Sequence, residues 1–424
     1  MRRVRHADVV VIGAGPAGLA AASAAAERGR SVLLVDQGLR PGGQIWRHRD
    51  ELTLPSSARR LMARARNAGV KLVSGCRFVD AESPNELVID FRGRIDRHQT
   101  DAVIIATGAR ERFIPFPGWT LPGVTGIGGL QALLKGGLPL ADTRIVLAGS
   151  GPLLFSVAAA VARAGGRVQL VGEQASRAQV RRFALRALRD PAKLQQALSF
   201  RWAFRSAPFR TDTWAVRAVG DGRLQSVEVS ERGRHRSIRC DWLGVGAGLV
   251  PNTDLAELLQ CHIERGAIMV DHHQATSVPR VWAAGECTGV KGDQAAIDEG
   301  EIAGRAAAGD AVGAGASALQ AARDNGRRFG QLLEESFAPR PELLTLAAPD
   351  TIICRCEDVP MRALDPAWTQ RQAKLWARVG MGVCQGAVCG PACAALFGWS
   401  ANAVRPPLGT PSCGEWMSGL DSAD

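Results

Sequence analysis

Apolar positions in this chain fall into short β-branched runs separated by alanine-rich or mixed stretches, and the alternation begins near the N-terminus. Residues 9–12 read Val-Val-Val-Ile, break into Gly13-Ala14-Gly15-Pro16-Ala17-Gly18, and continue as the alanine-rich run 19–29. A continuous apolar run bounded by glycine predicts a strand buried on both faces, followed here by a tight turn and a helix. Residues 31–35 predict a second strand ending in Asp36, residues 56–69 a helix, residues 71–79 a strand, and residues 86–91 an alternating strand of a small antiparallel excursion. Residues 101–108 form another buried strand ending Ala106-Thr107-Gly108. The opening theme then repeats. Residues 143–151 predict a strand and glycine turn, with a helix through Ala164 and a strand 167–171 ending near Glu173. Residues 177–198 read as a basic helical stretch, residues 214–229 as a hairpin about Asp221-Gly222, and residues 240–246 as a strand. Residues 280–286 predict a last strand ending Gly285-Glu286, with helices beginning near Gln294 and spanning 321–337.

Strands alternating with helices predict an α/β fold, and the internal repeat predicts two Rossmann-like dinucleotide-binding domains, the second inserted in the first. In the first turn Gly13 permits the tight bend, Gly15 lets the backbone approach a pyrophosphate, and Gly18 lets the helix that begins at Pro16 and Ala17 pack on the strand. Asp36, at the end of the next strand, is placed to bind an adenosine ribose. In the second turn, Gly149 and Gly151 repeat the pattern and Glu173 repeats the acid, but Leu154 stands where the third glycine would be. NAD(P), ATP or ADP is compatible with that second fold, and a structural relic is the competing reading.

At 424 residues with 46% apolar content, the chain supports two or three domains. No apolar run reads as a transmembrane span. The basic start Met1-Arg2-Arg3 leads directly into the dinucleotide strand, so it is not read as an export signal and a cytoplasmic location is expected. The net charge of +11 is scattered arginine, without the clustered face that nucleic-acid binding needs. Of ten cysteines, Cys76, Cys240, Cys261 and Cys287 stand singly and read as inert core thiols, while six follow residue 350. Cys354-Arg355-Cys356 and Cys384-x4-Cys389 have ligand-like spacing, and four thiolates match a [2Fe-2S] cluster. Structural zinc is the alternative, although its ligand pairs are usually separated by two to four residues. Cys393 leaves the fourth ligand ambiguous, Cys413 is farther away, and the quartet Cys354, Cys356, Cys384 and Cys389 is preferred.

Several segments resemble two-dinucleotide-binding-domain flavoproteins. Gln37 and the glycine turn Gly42-Gly43-Gln44-Ile45 match the place where such chains approach the middle of FAD, and Ala106-Thr107-Gly108 matches the return to the flavin. Gly285-Glu286 matches a Gly-Asp that holds the ribityl chain. The resemblance further implies Val79 backbone near the adenine and Gln294, Ala295 and Ala296 amides facing the flavin pyrimidine. Disulfide chemistry is excluded at the second turn, because Trp46-Arg47-His48 follows it. Lys291 stands beside the expected flavin and reads either as a charge that raises its potential or as a surface side chain.

Residues 350–405 resemble the bacterioferritin-associated-ferredoxin-like [2Fe-2S] domain. Together the modules resemble the FAD- and [2Fe-2S]-containing large subunits of heteromeric bacterial amine dehydrogenases, a group including opine oxidases, proline and D-hydroxyproline dehydrogenases and hydrogen cyanide synthase. That resemblance implies an electron-transfer subunit with no catalytic residue of its own, in a hetero-oligomer with a small third subunit and a flavin-containing β subunit. FMN at a subunit interface is a further implication. A self-contained NAD(P)H-dependent reductase and a redox or iron-handling module remain alternatives. The expected domains are 1–118 with 247–318 for FAD, 119–246 for the second nucleotide fold, 319–349 as a helical linker, and 350–424 for the cluster.

Overall fold

A computed structural model describes residues 5–91, 93–187, 191–310, 316–399 and 404–409. Cys413 lies outside them. The chain forms two compact units, one from residues 1–110, 250–330 and 404–424, the other from residues 111–249 and 331–403.

The first unit is built on a seven-stranded sheet. Strands Lys71–Ser74, Val32–Asp36, Arg5–Ile12 and Ile95–Ile105 run parallel in that order. Ile95–Ile105 then divides its outer edge: residues 95–99 pair antiparallel with Glu86–Phe91, and residues 103–105 pair parallel with Val281–Ala283. Ile12, Asp36, Ile105 and Ala283 therefore lie along the carboxyl edge of one sheet, the edge at which α/β folds bind ligands. Helix Pro16–Ala26 is alanine-rich because it is crowded. A side chain at Gly300 or Gly304 of helix Asp293–Ala307 would collide with the Ala17 or Ala21 carbonyl, so the two helices pack backbone to backbone.

The second unit repeats the plan with a five-stranded parallel sheet in the order Phe209–Thr211, Arg167–Glu173, Arg144–Gly149, Trp242–Gly246, Val124–Gly126. An antiparallel sheet of Thr213–Val219, Ser226–Glu231 and Arg234–Arg239 accompanies it. The cysteine-bearing segment consists of a short hairpin, Ile352–Cys354 with Val359–Pro360, and helices Gln370–Ala377 and Cys389–Phe397 around its own apolar cluster. It is tied to the same unit by the Trp119 indole, which donates to the Ile352 carbonyl at 2.6 Å.

Two elements differ from the pattern-based reading. Residues 71–79 are two strands, Lys71–Ser74 and Cys76–Ser83, because Gly75 turns left-handed at φ 74°. Residues 177–198 fall in two helices, Arg177–Ala187 and Pro191–Ala203, the second opening on a proline that cannot continue a helix. Among the described residues no helix is long and apolar enough to cross a membrane.

Candidate functional site: a flavin cradle and a paired-thiol cluster

The first unit gathers most of the expected cofactor residues at the carboxyl edge of its sheet. Gly13 adopts φ 108°, and a side chain there would strike the Ala106 carbonyl; one at Gly18 would strike the Gly13 carbonyl. Only glycine permits this meeting of strand, helix and Ala106-Thr107-Gly108. The helix Pro16–Ala26 starts at Gly15 with no side-chain cap, leaving first-turn amides and the positive end of the dipole for an anion. The second turn closes on the first: the Gly42 amide donates to the Ala14 carbonyl at 2.7 Å, and Gly43 lies against the Gly15 Cα. Gln44 and Ile45 stand exposed at its tip.

Asp36 accepts hydrogen bonds from the Ala14 amide at 2.5 Å and the Gly38 amide at 2.6 Å, so it ties both turns to the strand end. Burial pushes its carboxyl above the usual range, against those two amides. Gln37 follows it. Val79 is at a bulge of Cys76–Ser83, and its carbonyl accepts the Leu408 amide at 2.6 Å.

Gly285 packs between Ala17 and Ala296, which brings the last strand end to the first helix. The Glu286 carbonyl accepts the Gly289 amide at 3.1 Å, while its carboxylate accepts no hydrogen bond from another described residue; burial, then Asp293, pushes that carboxyl up. Helix Asp293–Ala307 likewise has no side-chain cap at Gly292, so the amides of Gln294, Ala295 and Ala296 begin an open N-terminus. The Gln294 side chain itself turns back to Asp298 at 3.0 Å. Two uncapped helix starts, two abutting glycine turns and a lone carboxylate form a cradle whose donors and acceptors suit an extended dinucleotide.

Lys291 is neither a surface side chain nor a free charge. Its ammonium is buried and bonds Glu299 Oε1 at 2.6 Å, the Thr288 hydroxyl at 2.8 Å and the Thr288 carbonyl at 3.1 Å. Fully buried Glu299 also accepts from the Gly285 amide and the Thr288 hydroxyl, both at 3.0 Å. Burial pulls the Lys291 ammonium down, offset in part by Glu299. Sequence spacing gave no notice of Glu299, which sits mid-helix and looks like a solvated position. Asn252 was also missed as a site residue: its side-chain amide donates to the Thr107 carbonyl and the Thr107 hydroxyl donates back to its carbonyl, both at 2.8 Å. Arg110 reaches Asn252 at 3.2 Å and Asp254 at 2.9 Å.

In the second unit the Cys354 thiol interacts with that of Cys389, and the Cys356 thiol with that of Cys384. The Cys389 thiol and the amides of Gly380, Glu357 and Cys356 hold Cys354 well below the usual thiol range. The first pair is buried; Cys356 is exposed and Cys384 half-buried. Among the described residues no three of these sulfurs lie within 4.8 Å of one another. Cys356 also feels the charge of Cys354, and Cys389 that of Cys384, so the four thiols share one neighbourhood. Buried Cys393 is pushed up to about 12 by desolvation, and Cys76, Cys240, Cys261 and Cys287 are buried free thiols in the body of the fold.

Gly149, Gly151 and Glu173 meet at the carboxyl edge of the second sheet. Glu173 accepts from the Gly151 amide at 2.7 Å and the Ala175 amide at 2.8 Å, and burial pushes it up to about 7. Leu154 is fully buried in the helix packed behind that turn.

The sequence profile of pyridine nucleotide-disulphide oxidoreductases matches residues 7–300. The chain is 32% identical to the HcnB subunit of hydrogen cyanide synthase from Pseudomonas aeruginosa, over 96% of this chain and 94% of that protein. It is 31% identical to the A subunit of opine oxidase from Agrobacterium tumefaciens, over 90% of this chain and 84% of that protein. Its fold is similar to that of L-proline dehydrogenase from P. horikoshii, with TM-score 0.70 and 17% identity over 98% of this chain and 80% of that one. Thioredoxin reductase of T. acidophilum matches at TM-score 0.56 and 22% identity over 72% of this chain and 99% of that one. An FAD-type cradle with no cysteine pair at its second turn agrees with these likenesses: the chain is a flavin-dependent oxidoreductase subunit of the pyridine nucleotide-disulphide oxidoreductase family, in the group that contains the HcnB subunit of hydrogen cyanide synthase and the A subunit of opine oxidase.

Proposed function

We propose that this chain is the electron-transfer subunit of a cytoplasmic hetero-oligomeric dehydrogenase that oxidises the C–N bond of an opine, a D-amino acid or an imino acid such as proline or hydroxyproline. A flavin of the partner β subunit would supply the two-electron oxidation of the substrate to the imine. In this chain Cys354, Cys356, Cys384 and Cys389 would hold a [2Fe-2S] cluster and the first unit would hold FAD, which together would supply electron carriers between that partner and an acceptor, with FMN at the subunit interface and a small third subunit completing the assembly.

The observation that carries this reading is the arrangement of the four thiols in two pairs. Each iron of a dinuclear cluster takes two cysteine ligands, so two pairs of thiols are the set that such a cluster needs. The amides directed at Cys354 suit a thiolate that must carry negative charge in partly buried surroundings. Exposure of Cys356 gives one end of the cluster access to a partner. A cluster passes electrons singly and FAD accepts them singly or in pairs, so the protein's work is to hold both and tune them. In the flavin cradle, Glu286 would take the ribityl hydroxyls, and the start of Asp293–Ala307 would stabilise negative charge at the pyrimidine.

The test is anaerobic spectroscopy on the chain co-produced with its partner subunit. Octopine, proline or D-hydroxyproline should bleach both flavin and cluster bands of the complex and leave the isolated chain oxidised. Bleaching of the isolated chain by any of these amines would place substrate oxidation here and overturn the proposal.

A further inference from the structure

The glycine turn of the second nucleotide fold is already in contact with the chain's own C-terminal half. The second glycine of such a turn lacks a Cβ so that a pyrophosphate can approach it. At Gly151 that space faces Phe337: a Cβ built there would lie 3.6 Å from the Phe337 ring. The Ser150 hydroxyl, beside it, donates to the Phe337 carbonyl at 2.8 Å. Gln174, fully buried just past the acid at the strand end, donates to the Ala338 carbonyl and the Ser150 hydroxyl at 2.8 and 2.9 Å. The Gln174 side-chain oxygen accepts the Arg340 amide at 3.0 Å, and its main-chain carbonyl accepts the Arg340 guanidinium at 3.0 Å. That guanidinium also lies over the Trp214 ring, 4.1 Å from its centroid, while Phe337 packs edge-on against Phe183.

We infer that the second nucleotide fold is closed to dinucleotides because residues 337–340 are its resident occupant, and that its turn serves as the seat of the cysteine-bearing segment that follows. A phosphate arriving at Gly151 would have to displace an aromatic ring, and it would meet the Phe337 and Ala338 carbonyl oxygens beside it. The contacts are side chain to backbone on both sides, so they fix register as well as position. The inference goes beyond the electron-relay reading and does not depend on it: pyridine nucleotide is not this chain's electron donor whatever the partner oxidises.

The experiment uses the FAD-loaded full chain. Titration with NADH, NADPH and ATP, followed by fluorescence and calorimetry, should show no saturable binding tighter than about 1 mM, and NADH should leave the flavin oxidised. In hydrogen exchange on the same preparation, the Arg340 amide, which donates to buried Gln174, should be strongly protected. Phe337→Ala with Gln174→Ala should speed its exchange at least tenfold while amides of the first unit keep wild-type rates. Saturable nucleotide binding to the wild type, or Arg340 exchange at the rate of an exposed loop, would overturn the inference. Neither result bears on amine-dependent reduction of the complex, so the two proposals fail separately.

Discussion

The buried pair Lys291–Glu299 governs the loop that presents Glu286, and breaking it should release that loop. In Glu299→Gln the ammonium loses the negative charge 2.6 Å away and keeps only neutral acceptors, the two Thr288 oxygens among them. Removing one member of a buried pair costs about 3–5 kcal/mol. A ceiling follows from titration: an ordinary lysine lies roughly 3.5 pH units above neutrality, so shedding its proton caps the cost at about 5 kcal/mol. The reverse change, Lys291→Met, leaves Glu299 with the Gly285 amide, the Thr288 hydroxyl and Arg327 at 3.6 Å, and should cost less. The double variant removes both charges and should recover at least about 2 kcal/mol of the summed single costs. Because Gly285 hangs on Glu299, both single variants should also lose FAD on gel filtration, and the double variant should retain more. Urea unfolding followed by far-UV circular dichroism, with flavin absorbance per chain, measures both effects. Costs that simply add in the double variant would show that the two groups do not depend on each other, and the reasoning would be wrong.

Asp36→Ala should weaken FAD binding tenfold or more, the loss of about 1.5–3 kcal/mol in charge-assisted hydrogen bonding, read as flavin occupancy after dialysis; full occupancy would remove Asp36 from the site. Cys384→Ser should abolish the visible absorption of the cluster while FAD remains, whereas Cys393→Ser should keep it; the opposite pattern would reassign the fourth ligand. Glu173, raised to about 7 in the folded chain, binds its proton more tightly folded than unfolded. Its contribution is therefore complete below pH about 4.5 and is lost as pH rises through about 7, a change of about 3 kcal/mol. Unfolding midpoints of Glu173→Gln should accordingly gain on wild type across that window and hold steady above it; parallel pH profiles would contradict the assigned protonation.

Much of the fold was legible because its signals are local. A buried parallel strand must be apolar on both faces, and a chain that turns from strand to helix over a phosphate site needs glycine, so residues 9–18 declared their structure without help. The same holds for Gly285-Glu286 at a strand end and for the spacing of Cys354, Cys356, Cys384 and Cys389. By contrast, Lys291 read either as a charge beside the flavin or as a surface lysine, Glu299 looked like a polar helix position, and Gly149-Ser150-Gly151 read either as a nucleotide turn or as a structural relic. Each takes its meaning from a residue far along the chain or on another element, and no periodicity records such a meeting.

The sequence alone therefore determined the alternation of strands and helices, the duplicated nucleotide fold and the types of side chain available for chemistry. Tertiary structure decided which of these groups are committed to the protein itself. It neutralised Lys291 with Glu299, left the Glu286 carboxylate without a hydrogen-bond donor among the described residues, paired the thiols two by two, and set Phe337 against Gly151. The physical reason is that a motif specifies what a backbone can do, while burial and partnership, which depend on contacts across the chain, decide whether that capacity remains free for a ligand.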